Sequence, residues 1–232
     1  MTLPLGERLL EVWERGTRRH PLDRGLLLLS LARPDDALDA LADVSIGERD
    51  RALLALHRAL FGPTLESVVD CPVCATRLEL AIDADAVRGA AAPTEVEVGG
   101  LRVRPPTSRD LAAALLERDA AEAERCLARR CVVATPHGGA ALDDAELAAA
   151  QLALAEADVA SDIELDLACE SCGHRWNEPF DIAGYLWQEV ASRAQALLRD
   201  VDALARVYGW SERDILALSD ARRQSYLALV LA

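Results

Sequence analysis

The phrases CPVCATRLELAID (71–83) and CESCGHRWNEPFDI (169–182) begin alike. Each opens with Cys-x-x-Cys, places an arginine three residues after the second cysteine and carries an aspartate near its end. They read as one small unit used twice. The 94 residues between them, 75 through 168, leave three readings of the four cysteines: one shared metal site, two redox dithiols, or ordinary thiols.

The flanking residues discriminate among these. TLESVVD before the first pair and RLELAID after it have strand character, with Leu78, Leu80 and Ile82 alternating onto one face. DIELDL (162–167) alternates Ile163, Leu165 and Leu167 with acidic residues, and HRWNEPFDI follows the second pair. Each Cys-x-x-Cys therefore sits at the tip of a predicted β-hairpin, and two such tips facing each other complete a zinc ribbon. Zinc takes four ligands in a tetrahedron, so Cys71, Cys74, Cys169 and Cys172 are the expected ligands of one Zn2+. A thioredoxin-like dithiol instead opens a helix, whose N-terminus lowers the thiol pKa. Cys126 and Cys131, in AERCLARRCVV, read as small buried apolar residues at a helix and its exit. His174 lies close to the second pair but is superfluous beside four thiols.

Composition narrows the function. With 232 residues and 51% hydrophobic content, the chain has enough apolar material for a packed core. Its longest apolar run, GLLLLSLA (25–32), is far short of the roughly 18 to 20 residues a membrane span needs, and no signal segment opens the chain. A soluble, cytoplasmic protein is expected. All 25 basic residues are arginine, which removes P-loop, Schiff-base and Ser/Lys chemistry. GC-rich codon usage explains that bias without a function. A net charge of −14 argues against nucleic acid or anionic membrane as a partner. His20, His57 and His137 stand in unrelated contexts, and no nucleophile-and-base grouping or phosphate loop is present. The chain reads as non-enzymatic, with no small-molecule substrate.

Outward from the cysteines, the remaining segments are mainly helical. Residues 1–63 form a predicted helical segment: Thr2 is a candidate N-cap, a short apolar helix runs between Pro21 and Pro34, and SIGE (45–48) is a capping box. Residues 64–84 and 162–180 are the two ribbon hairpins. Between them, 85–161 combines a hairpin turning at Gly99 and Gly100 with Ala/Leu-rich helices, the last two separated by the turn TPHGG (135–139). In 181–232, Leu186, Val190, Ala194, Leu197, Val201, Leu204 and Tyr208 recur at steps of three and four from Asp181, the stripe of one long helix that Gly209 ends. SERD (211–214) and SDARRQSYLALVLA then make a helical corner. The expected fold is α+β and mainly helical: a zinc-ribbon-like pair of hairpins with a helical insertion and a long C-terminal helix.

CESCGHRWNEPFDIAGYLWQEV running into LLRDVDALARVYGWSERDILALSDARRQSYLALV resembles the T4-type baseplate or baseplate-hub assembly proteins, encoded beside contractile phage tails and contractile injection systems. GERDRALLALHRALFG and LRVRPPTSRDLAAAL extend the resemblance over most of the chain, and YGWSERDIL…RRQSYL is its most specific part. The resemblance implies a helper or minor component in building a baseplate, with baseplate or hub proteins as partners. Trp210 and Tyr226, flanked by Arg222 and Arg223, are the residue types that dominate binding hot spots, and they are the expected partner-binding group. The alternatives are a zinc-ribbon regulator contacting nucleic acid, which needs a basic patch near the ribbon or the final helices, and a thiol oxidoreductase, which needs a solvent-exposed, low-pKa cysteine.

Overall fold

The computed structural model describes residues 5–91, 93–135 and 142–230. The expected N-cap Thr2 and most of the TPHGG turn, with His137, lie outside the described residues. Helix makes up 58% and strand 16%, the strands confined to small antiparallel sheets, so the fold is α+β and mainly helical.

The chain divides into two compact units. One contains the chain up to Leu31 together with the chain from Ala183; the other is Ala32–Ile182. The segment 1–63, expected as one helical piece, is therefore divided between them. Its first two helices, α1 (Leu5–Gly16) and α2 (Pro21–Ala32), group with the C-terminal helices α9 (Ile182–Tyr208), α10 (Glu212–Leu216) and α11 (Asp220–Val230). The reason lies in the apolar faces. Leu10 of α1 packs with Ala194 and Leu197 of α9 and Leu216 of α10, and Trp13 leans on the same cluster. Further along α9, Leu204 packs with Ile215 and Leu227. The long stripe of α9 is thus mostly internal, with Leu186, Val190, Ala194, Leu197 and Leu204 all buried. Gly209, at φ +67°, ends the helix by donating its N–H to the Ala205 carbonyl, a left-handed position that glycine occupies without a Cβ penalty.

The second unit holds helices α3 (Leu38–Leu41) and α4 (Ile46–Phe61), the hairpin β1 (Thr64–Asp70) and β2 (Arg77–Asp83), and α5 (Ala84–Val87). It continues through β3 (Val96–Val98), β4 (Leu101–Val103), α6 (Ser108–Ala114), α7 (Ala120–Cys131), β5 (Val132–Ala134) and α8 (Asp144–Ala157) to the hairpin β6 (Glu164–Ala168) and β7 (Arg175–Pro179). Ser45 caps α4 by accepting the Glu48 N–H, but Glu48 does not complete the expected box; its carboxylate pairs with Arg33 at 2.5 Å.

The Gly99-Gly100 turn joins β3 to β4 with both glycines at positive φ. The exit of α7, to which the sequence assigned no element, is a third strand: β5 pairs with β4. That sheet and α8 enclose a core of Leu101, Val103, Cys131, Ala150 and Leu154.

Asp110, 1% exposed, organises the polar side of this region. It accepts from Arg104 at 2.6 and 3.2 Å, from Arg130 Nε at 2.9 Å and from the Thr107 N–H at 2.9 Å. The Thr107 side chain in turn accepts the Asp110 N–H, closing the capping box of α6.

Candidate metal centre

Both predicted ribbon hairpins form, each with a Cys-x-x-Cys at its tip. In the first, Asp70 pairs with Arg77 and Thr64 with Asp83; in the second, Ala168 pairs with Arg175 and Glu164 with Pro179. The tip pairs Asp70↔Arg77 and Ala168↔Arg175 occupy the same place relative to their cysteines, so both hairpins share one register. The turns match bond for bond. Cys71 donates its N–H to the Thr76 carbonyl and accepts from the Ala75 N–H; Cys169 does the same with His174 and Gly173. The residue after each second cysteine takes a left-handed conformation, Gly173 at φ +73° and Ala75 at φ +56°. Among the described residues, Ala75 is the one non-glycine with positive φ, the price of holding two sulfurs on the same side of a tight turn.

The four sulfurs converge. All lie within 4.8 Å of one another, with Cys71 Sγ 3.7 Å from Cys172 Sγ and Cys74 Sγ 3.6 Å from Cys169 Sγ. Four thiolates about 2.3 Å from a central ion have edges of roughly 3.8 Å, so this cluster has the size of a tetrahedral metal shell. Cys71 and Cys169 are buried and Cys74 and Cys172 exposed, which puts the site at the protein surface, half enclosed.

The sulfurs lie close enough to perturb one another. Hydrogen bonding with Thr76, from its side chain and its backbone, holds the Cys74 thiol down to about 6. A backbone hydrogen bond at His174 favours the Cys172 thiolate, but the neighbouring Cys74 sulfur, together with desolvation, outweighs it and pushes Cys172 up to about 12. His174 stays out of the cluster and stacks on Trp176, with centroids 5.8 Å apart and planes at 11°.

The surroundings bear on what the ribbon can touch. Its outward-facing positions include Glu66, Asp70, Glu79, Asp83, Glu164 and Asp166, against Arg77 and Arg175. The basic patch that a nucleic-acid contact requires is missing from these faces. Both cysteine pairs lead into strands, not into helix N-termini.

The other expected group is only partly assembled. Trp210 and Tyr226 meet edge to face at 4.8 Å and pack against Leu204, Ile215 and Leu227, while the exposed Tyr208 stacks on Trp210 at 4.7 Å. Arg222 is exposed. Arg223 is not the rim residue it was expected to be. It is 1% exposed and bound to Asp200 at 3.1 Å and to Asp220, because position 223 faces α9.

Of the two remaining cysteines, Cys131 is a core residue whose thiol burial raises to about 11, and Cys126 is only partly covered. The strain at Ala75 and the Arg104–Asp110–Arg130 network escaped the reading of the sequence. The alignment of CPVCA with CESCG, with glycine where the first has alanine, was the available signal for the former. Nothing local signals the latter, since Arg104 and Arg130 are distant in the chain. Compared with known proteins, the chain matches no family model, no curated protein and no solved structure.

Proposed function

We propose that this chain is a non-enzymatic, zinc-stapled assembly factor or minor component of the baseplate of a contractile tail or injection system. The observation that carries the metal part is the convergence of Cys71, Cys74, Cys169 and Cys172 at tetrahedral spacing. Zinc suits it best: four thiolates in a closed, symmetric pair of turns is the usual structural zinc arrangement, with no open position for a substrate. The acidic ribbon faces weigh against a nucleic-acid regulator. Cys74 is exposed with a lowered thiol pKa, as a thiol oxidoreductase needs, but both cysteine pairs lead into strands and converge on one four-sulfur cluster, which weighs against that reading.

The baseplate part rests on the resemblance of YGWSERDIL…RRQSYL and its neighbours, and on a chain without an evident catalytic grouping. Baseplate or hub proteins are the partners this reading implies. The engaging surface is the helical corner around Trp210 and Tyr226 with the exposed Arg222. Affinity capture from cells carrying the whole gene cluster tests it. Baseplate or hub proteins are expected to copurify, and Arg222→Glu, in protein that keeps its fold by circular dichroism, is expected to reduce their recovery. Capture that brings down no baseplate or hub protein would contradict the assignment.

A further inference from the structure

We infer that the four-cysteine centre exchanges its metal for two disulfides that run between the hairpins, Cys71 with Cys172 and Cys74 with Cys169, when it meets a peroxide. The inference rests on the zinc reading above. Each facing pair joins one exposed sulfur to one buried sulfur on the other hairpin, at 3.7 and 3.6 Å. Peroxide reaches the exposed member first. Cys74 and Cys172 are open to solvent, whereas Cys71 and Cys169 are each 2% exposed. Thiolate character and access together set susceptibility to oxidation, and metal-bound thiolates meet the first condition.

The chemistry balances without another reactant. An exposed thiolate attacks the peroxide oxygen, the O–O bond breaks, and the sulfur becomes a sulfenic acid as hydroxide leaves. The buried thiolate facing it attacks that sulfur, forming the S–S bond and expelling a second hydroxide. Each disulfide consumes one peroxide. Two events turn four thiolates into two disulfides and release Zn2+ with its charge unchanged.

The connectivity matters for the fold. Bonds within each Cys-x-x-Cys would leave the hairpin tips unlinked once the metal departs. Bonds between hairpins keep the tips tied, so the staple survives loss of its ion and is reset by reductant and zinc.

The test is titration of the zinc-loaded, full-length protein with hydrogen peroxide. Released zinc is followed with a colorimetric chelator, and the non-reduced peptides are then sequenced by mass spectrometry. Complete zinc loss is expected at about two equivalents of peroxide per chain. Cross-links 71–172 and 74–169 are expected alongside it, and dithiothreitol with zinc is expected to restore the starting state. Zinc retained under excess peroxide, 71–74 and 169–172 cross-links, or sulfonic acids without disulfides would overturn the inference while leaving the zinc reading intact. Protein that holds no zinc before peroxide is added would instead overturn the zinc reading, and this inference with it.

Discussion

At the scale of single residues, two positions carry more than their type suggests. Ala75 occupies a left-handed conformation that Gly173 occupies in the matching turn. A Cβ there costs roughly 1 to 2 kcal/mol, offset in part by the greater freedom glycine has in the unfolded chain, roughly 0.4 to 1 kcal/mol. Ala75→Gly is therefore expected to stabilise the protein by up to about 1.6 kcal/mol in urea denaturation, and Gly173→Ala to destabilise it by a similar amount. Asp110 is the second. Burial alone would raise its carboxyl, but hydrogen bonds from Arg104 and Thr107 and the charge of Arg104 prevail and hold it down to about 2. Asp110→Ala strands two guanidiniums and removes the carboxylate half of the α6 capping box, for an expected loss of about 3 kcal/mol, the low end for a broken buried pair because both arginines reach solvent. A carboxyl held below its unfolded value of about 3.9 stabilises fully above that pH and stops doing so below its folded value. The wild-type advantage over Asp110→Ala should thus shrink as pH falls from about 4 to about 2, a trend that denaturation at stepped pH would reveal.

At the scale of elements, α11 separates two neighbouring arginines into different roles. Arg223 points at α9 and binds Asp200 from a buried position, whereas Arg222 faces solvent. Arg223→Ala should cost about 2 to 4 kcal/mol by leaving Asp200 without its partner and opening a gap, while Arg222→Glu should change stability by no more than about 0.5 kcal/mol. Thermal unfolding of the two variants side by side measures the contrast. The same element shows what a sequence conveys and what it withholds. The three-and-four spacing of Leu186 through Leu204 identified α9 and its buried face, and alternation identified β1, β2, β6 and β7, because both signals are local and periodic. Which side of α11 faces inward depends on how the corner at Gly209 turns, and no periodicity over eleven residues specifies that. The strand β5 was missed for a related reason: three residues take strand form because β4 offers an edge, not because Val132–Ala134 demands it.

At the scale of the whole molecule, the four-cysteine cluster joins segments that the sequence keeps 94 residues apart. The convergence of its four cysteines was legible because Cys-x-x-Cys spacing and hairpin alternation coincide twice. The grouping of α1 and α2 with the C-terminal helices was not, since it depends on long-range packing between apolar faces. Two-stranded hairpins are marginal by themselves, so the ribbon's stability should depend on its ion. Removal of zinc with a chelator under reducing conditions is expected to lower stability by several kcal/mol, and Cys172→Ser to do the same, with calorimetry registering a matching fall in the unfolding temperature. The most direct test of the account is the metal content of the full-length protein purified under reducing conditions, read by inductively coupled plasma mass spectrometry. One zinc per chain is predicted; a zinc content near zero in folded protein would contradict it.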